Sequence, residues 1–233
     1  MKHIVVLTGA GVSAESGLQT FRDADGLWEG HDVMEVATPE GFAKNPALVL
    51  EFYNQRRKQL LQVKPNAAHS SLVALEEKFK VSIITQNVDD LHERAGSTNV
   101  LHLHGELLKA RSTVSDSEII PWKTNMLLGD ICEKGYQMRP HIVWFGEAVP
   151  MMDSAIDTTS KADILIIIGT SMQVYPAASL IDYVSENIPI YFIDPKPSIS
   201  EDSRQNLTIH ATSATEGIPT LVKELLKTAD KEL

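Results

Sequence analysis

His104 is placed for acid-base chemistry. It follows the β-branched run Val100 to Leu103 and precedes Gly105, so its ring should project past a strand end, where open α/β sheets bind ligands. An imidazole there can act as a general base near neutral pH, or it can be a structural histidine satisfied by its neighbours. His102 shares that face by strand alternation and reads as structural. Gln86, Asn87 and Asp89 follow a second run, Val81 to Ile84. Their amides and carboxylate can bind a ribose and a carboxamide, while Asp89 or Asp90 can equally cap a helix beginning near Leu91. At the start of the chain, Ile4 to Leu7 leads into Thr8-Gly9-Ala10-Gly11-Val12-Ser13-Ala14. That is the G-x-G-x-x-G/A spacing that seats a pyrophosphate on a helix N-terminus, although the same glycines also serve tight packing. Gly169, Thr170 and Ser171 close the most apolar run, Ile164 to Ile168, and offer hydroxyls and amides at an expected helix start, or simply cap it.

These runs, with Ile142 to Phe145 and Ile190 to Ile193, alternate with helical stretches. The pattern predicts an α/β fold with a Rossmann-like, doubly wound parallel sheet. About seventy residues separate the first run from the second, too many for one crossover helix, so an insertion sits between them. Glu106 to Pro140 has no strong period and forms a second excursion. The expected division of this single domain is a large dinucleotide-binding lobe over about 1–34, 66–106 and 140–233, and a small lobe over about 35–65 and 107–139. A helix is predicted over Pro46 to Gln62, with Val49, Phe52, Tyr53, Arg56 and Leu60 on one face. No acid stands three or four residues from Arg56. The guanidinium therefore either snorkels to water or meets an anion from outside the helix.

The chain has 233 residues, 43% of them hydrophobic, and a formal net charge of -10. That charge argues against nucleic acid as a partner. Cys132 is the only cysteine, so no internal disulfide forms, and a reducing cytoplasmic setting is expected. Ile4 to Leu7 is too short for a signal core or a membrane span, and the chain reads as soluble and free of membrane. A dehydrogenase would continue from the glycine turn to a second strand and a ribose-binding acid. Here a polar loop from Gly17 to Trp28 intervenes, which disfavours hydride transfer.

Further matches extend these motifs. Gly9-Ala10-Gly11-Val12-Ser13-Ala14-Glu15-Ser16-Gly17 is followed by Phe21-Arg22-Asp23 and Trp28. Then come Thr85-Gln86-Asn87-Val88-Asp89-Asp90-Leu91-His92, His104-Gly105, Val143-Trp144-Phe145-Gly146-Glu147, Gly169-Thr170-Ser171 and Val174-Tyr175-Pro176-Ala177-Ala178. In this order they resemble the sirtuin family over nearly the whole chain. The resemblance implies an NAD-dependent deacylase of protein lysines that yields nicotinamide and O-acyl-ADP-ribose. It implies NAD contacts at Gly9, Ala10, Gly11, Ser13, Ala14, Glu15, Phe21, Arg22, Trp28, Gln86, Gly169, Thr170, Ser171, Asp194 and Ala214. His104 becomes the base on a ribose hydroxyl, and Asn87 and Asp89 hold the nicotinamide end. Phe21 shields the reacting carbon from water. Asp194 stands where the family usually has asparagine and can accept from a ribose hydroxyl but not donate to it. Val143, Trp144, Phe145, Gly146 and Glu147 would pair with an extended acyl-lysine peptide, donating backbone hydrogen bonds and walling the acyl tunnel.

Two features set the chain apart within the resemblance. Ala37, Tyr53 and Arg56 match the branch that prefers succinyl and malonyl lysine, with Arg56 gripping the distal carboxylate, Tyr53 hydrogen-bonding it and Ala37 leaving room. Most sirtuins also carry two zinc-binding cysteine pairs, matched here by Ser112 and Ser115 and by Cys132 and Gly135. One thiolate cannot hold tetrahedral zinc, so no zinc is expected. An apolar cluster of Ile119, Ile120, Trp122, Met126, Leu127, Leu128 and Ile131 would take its place. Rival readings are ADP-ribosyl transfer to protein, which would add mass to the target, and an NAD or ADP-ribose sensor without turnover.

Overall fold

Alternate residues of the first strand pack on opposite sides of the sheet they join, and that sets the architecture. In the computed structural model, which describes residues 1–19, 27, 28 and 30–231, β1 (His3–Thr8) leads into a one-turn helix, α1 (Gly11–Ala14). A two-stranded hairpin, β2 (Leu27–Trp28) and β3 (His31–Asp32), precedes helices α2 (Val33–Val36), α3 (Pro39–Lys44), α4 (Pro46–Gln62) and α5 (Ala67–Leu75). There follow β4 (Lys80–Thr85), α6 (Leu91–Ala95), β5 (Val100–His102), β6 (Gly105–Ser112), β7 (Ser115–Pro121) and β8 (Met138–Ile142). The chain ends through α7 (Met152–Thr159), β9 (Ile164–Ile168), a 3-10 turn at Ala177–Tyr183, β10 (Ile190–Ile193), β11 (Leu207–His210) and α8 (Ala214–Ala229).

Six strands form one parallel sheet in the order β11-β10-β9-β1-β4-β5. Ile4, Val6, Ile164, Ile166 and Ile168 face one layer with Leu72, Leu75, Ile218 and Leu221 of α5 and α8. Val5, Leu7, Leu165 and Ile167 face the other, with Ala155 of α7 and Leu180 of the 3-10 turn. Burial on both faces explains why these strands read as unbroken apolar runs. The strand order reverses between β1 and β9, which opens a crevice at the strands' C-terminal ends.

The second sheet, β7-β6-β8, is antiparallel and three-stranded, where the sequence suggested no regular period. Register shifts between Glu106 and Ala110 and between Arg111 and Ser112 break the alternation that would have revealed it. Ile142 ends β8 of this sheet and Val143 to Phe145 leave it, so the expected parallel strand there is not formed. β11 is an additional edge strand of four residues that carried no clear signal. The expected apolar cluster is also corrected. Ile119, Ile120, Leu127, Leu128 and Ile131 are exposed, and the small sheet packs instead through Leu50, Ala110, Met126 and Met138, with Phe42, Trp122 and Cys132 against them. Of the two edge strands, β8 buries Met138 and Ile142 while β7 leaves Ile119 and Ile120 exposed. A third cluster, with Val36, Val49, Phe52, Tyr53, Leu107, Ile142 and Trp144, joins α4 to the small sheet. No helix among the described residues is long and apolar enough to cross a membrane.

Candidate active site

The loops after β1 and β9 cross in direct contact. Gly9 N donates to Ile168 O at 2.9 Å, and Gly11 N to Gly169 O at 2.8 Å. A Cβ on Gly11 would lie 2.5 Å from Gly169 Cα, so the glycine at this position is required by packing whatever binds above it. Two amides of the turn are thus spent on the β9 loop, and α1 runs for one turn only. Gly169-Thr170-Ser171 does not open a helix, because the 3-10 turn starts only at Ala177. Its groups are held by neighbours instead: Thr170 Oγ1 accepts from Gln86 Nε2 at 3.1 Å and from Met172 N at 3.3 Å.

His104 lies two residues beyond β5, so strand alternation does not extend to it. Its Nδ1 is 2.9 Å from Gln86 O. A carbonyl can only accept, which places the proton on Nδ1 and leaves Nε2 as a lone-pair acceptor. Burial lowers the imidazole below its ordinary 6.5, against the opposing effect of the Gln86 bond, so the neutral form prevails at physiological pH. His102 bonds different partners. Its Nδ1 lies 3.2 Å from Asn87 O and its Nε2 2.6 Å from Glu93. It braces the loop that carries Asn87, in keeping with its structural reading.

Ser13 connects the next two groups. Its Oγ accepts from Asn87 Nδ2 at 3.2 Å and donates to Asp89 Oδ2 at 3.0 Å. Asp89 Oδ1 also accepts from Leu91 N at 3.1 Å, so the helix-capping role and a place at the site coexist in one carboxylate. Burial raises its pKa, with the Leu91 and Ser13 bonds acting the other way. Behind this trio stand two histidines that the motifs did not bring into the site. The rings of His69 and His92 are 4.8 Å apart. His92 Nε2 is 3.1 Å from Thr8 Oγ1, which donates to Thr85 Oγ1. Desolvation lowers His69 to about 4 and His92 well below its usual value.

A cavity of about 760 Å³ runs along the crevice. It is lined by Gly9, Ala10, Gly11, Ser13, Ala14, Glu15, Gln86, Asn87, Asp89, His104, Gly169, Thr170, Ser171, Asp194 and Ala214, and also by Ala37, Tyr53, Arg56, Val143, Trp144, Phe145, Gly146 and Glu147. Phe21 and Arg22 lie outside the described residues, and of Trp28 only the backbone is described. Within the cavity wall, Glu15 accepts from Thr215 at the start of α8. Asp194, buried, accepts from Lys196 N at 2.8 Å.

Four of the five amides in the segment expected to donate to a peptide already have internal acceptors. Val143 N donates to His104 O, Phe145 N to Ala37 O, Glu147 N to Trp144 O and Trp144 N to the Glu147 carboxylate. Strand addition through these four amides is therefore excluded in this conformation, because each already has an internal acceptor. Glu147 also pairs with Arg139 at 2.6 Å and Arg111 at 3.3 Å, acting as a brace for the loop. α4 also differs in detail from its expected face. Arg57 is fully buried and donates to Leu107 O and Asn54 Oδ1, and desolvation lowers it to about 10. Arg56 is half-buried at the cavity, its guanidinium carbon 5.4 Å from the centre of the Phe52 ring. Periodicity had no means of separating these adjacent arginines, since the choice depends on what packs against each.

The model for the Sir2 family matches residues 9–176. The chain belongs to the Sir2 family. An NAD-dependent protein deacylase of Helicobacter pylori is 55% identical over 98% of this chain and 100% of its own length. One from Bacteroides thetaiotaomicron is 53% identical over 97% of this chain and 98% of its own. A solved complex of a Sir2 homolog with NAD superimposes with a TM-score of 0.88 at 40% identity, covering 98% of this chain and 91% of that one. A Sir2 variant with a deacetylated p53 peptide and 3'-O-acetyl ADP ribose gives 0.77 at 30% identity, over 95% of this chain and 92% of that one. Placed on this Sir2 chain, the crevice at the strand reversal and the cavity with His104 are one feature. The four positions where the sirtuin resemblance expects zinc ligands offer a single thiol, Cys132, whose Sγ lies 3.5 Å from Ser112 Oγ. Hydroxyls and a glycine complete that set, and it does not fit tetrahedral zinc.

Proposed function

We propose that this Sir2-family enzyme is an NAD-dependent protein-lysine deacylase that prefers acyl groups ending in a carboxylate, succinyl and malonyl over acetyl. The observation that carries the reading is that Tyr53 and Arg56, three residues apart on α4, line the same cavity as His104. The cavity suits NAD, because buried Asn87, Asp89 and Asp194 present polar atoms along a crevice of dinucleotide dimensions. NAD, when bound, supplies a ribose carbon open to attack by the acyl oxygen as nicotinamide leaves. Asn87 and Asp89, fixed through Ser13, hold the nicotinamide end. His104 Nε2 takes the proton from a ribose hydroxyl, and the Gln86 carbonyl stabilises the imidazolium that results. One water is consumed at the acyl carbon to release the lysine, and the products are the free lysine, nicotinamide and an O-acyl-ADP-ribose. Water must be kept from the ribose carbon until the acyl oxygen has bonded it, since hydrolysis of NAD competes with acyl transfer.

Arg56 binds the distal carboxylate and Tyr53 donates to it, while Ala37 leaves space for the longer chain. A charge-assisted hydrogen bond contributes roughly 1.5 to 3 kcal/mol, enough for about tenfold or more in selectivity. We also read the small sheet as stable without zinc, held by its Met126 and Met138 core. The test is to compare kcat/KM for matched acetyl-, malonyl- and succinyl-lysine peptides with NAD. Arg56→Met is expected to lower the succinyl rate at least about tenfold relative to acetyl. An unchanged ratio would reject the carboxylate grip.

A further inference from the structure

We propose that Trp144 is a positioning residue for acyl selectivity, its indole N–H, aimed by Arg139 and Glu147, directing the Tyr53 hydroxyl proton toward the end of the acyl chain. This role rests on the carboxylate preference proposed above. Trp144 Nε1 donates to Tyr53 Oη at 2.9 Å, and both side chains are buried. An indole nitrogen can only donate. The tyrosine oxygen therefore accepts at that contact, and its one hydroxyl hydrogen must point elsewhere.

The indole itself is clamped. The Arg139 guanidinium carbon stands 3.3 Å from the centre of the Trp144 ring, a cation–π contact that fixes the ring plane. Glu147 grips that guanidinium with both oxygens, at 2.6 and 3.0 Å, in a bidentate pairing that adds direction as well as strength. Arg139 Nη2 also donates to Ile142 O at 2.9 Å, and the Glu147 carboxylate accepts from Trp144 N at 2.8 Å. Ring face and backbone of Trp144 are thus held by the same ion pair, and the N–H direction follows. Phenylalanine at 144 would fill most of the space but leave the Tyr53 oxygen without this donor. The hydroxyl would then be able to turn its hydrogen away from the acyl chain.

The experiment compares wild type, Trp144→Phe, Tyr53→Phe, the double variant and Arg56→Met with succinyl- and acetyl-lysine peptides under saturating NAD. Trp144→Phe is expected to lower the succinyl-to-acetyl ratio of kcat/KM by about tenfold, the change appearing in KM because the contact lies away from the reacting atoms. In the Tyr53→Phe background the same substitution should change the ratio no further, since the two groups act as one. A merely structural tryptophan would depress both substrates equally, and its effect would add to that of Tyr53→Phe; either result overturns the proposal. Should Trp144→Phe fail to fold, benzothienylalanine at position 144, with sulfur replacing N–H in a ring of the same size, is read by the same ratios. If Arg56→Met leaves the ratio unchanged, the carboxylate reading falls and takes this role with it. If Arg56→Met lowers it and the substitutions at 144 do not, only the role of Trp144 falls.

Discussion

His104 carries its proton on the side away from the cavity, because Gln86 O holds Nδ1. A base must be unprotonated to work, and burial disfavours the imidazolium. The acid limb of the kcat/KM profile should therefore fall below the ordinary 6.5 of histidine; a limb centred above that value would remove His104 as the base. His104→Ala should abolish turnover while NAD binding, measured by calorimetry, persists. Ser13 gives a second residue-scale outcome. Ser13→Ala strips one donor from the buried Asp89 carboxylate and one acceptor from the Asn87 amide, and each loss costs about 1 to 3 kcal/mol. A fall in kcat/KM of at least about tenfold should accompany it, measured at saturating peptide. The motifs named His104, Asn87 and Asp89 as site residues, but neither Ser13 as the link between the last two nor the His69–His92 pair behind it was visible. Those depend on side chains from α1, α5 and α6 meeting in space, which no spacing along the chain records.

At the scale of elements, legibility followed burial. The inner parallel strands are covered on both faces, so apolar runs announced them, whereas the edge strand β11 is mostly not buried and gave no such run; α4 was legible because Pro46 opens it and its apolar spacing is regular. The small sheet was not, because its register shifts break the period. Of the hydrophobic residues then assigned to its core, Trp122 and Met126 do join it, but Ile119, Ile120, Leu127, Leu128 and Ile131 stay exposed. Two outcomes test the corrected account. Met126 is fully buried in the small cluster with Leu50 and Met138, so Met126→Ala should cost about 2 to 5 kcal/mol by urea denaturation. Treatment with a strong chelator should leave the melting temperature and activity unchanged, whereas a structural zinc site would contribute on the order of 10 kcal/mol. A chelator-induced fall in melting temperature would overturn the zinc-free reading. The loop crossing adds a third: Gly11→Ala sets a methyl 2.5 Å from Gly169 Cα, and overpacking of this kind costs about 1 to 3 kcal/mol.

For the whole molecule, the buried histidines make stability depend on pH in a definite direction. His3, His69, His92 and His104 all have folded-state pKa values below the ordinary 6.5, His69 at about 4. In the unfolded chain each would titrate near 6.5, so below that pH the unfolded state binds more protons and gains on the native state. Their contribution is complete above about 6.5 and is lost as pH falls toward 4. His102 behaves oppositely: Glu93 raises it despite the cost of burial, and its contribution is lost only as pH rises above about 6.5. Asp89, raised by burial, works against the trend in the acid window, because the folded state then binds its proton first. Four histidines stand against His102 and Asp89, and the large downward shifts of His69 and His92 decide the sign. Urea denaturation should give a midpoint that falls steadily from pH 7 to pH 5, above the range where most carboxylates titrate. The His69→Gln variant is the discriminating control. It keeps a polar side chain at the Ser13 and Asn66 contacts but cannot take up a proton. Its stability should therefore change less between pH 7 and pH 5 than that of the wild type, and an equal or steeper dependence would show that the His69 ring is not among the groups that set it.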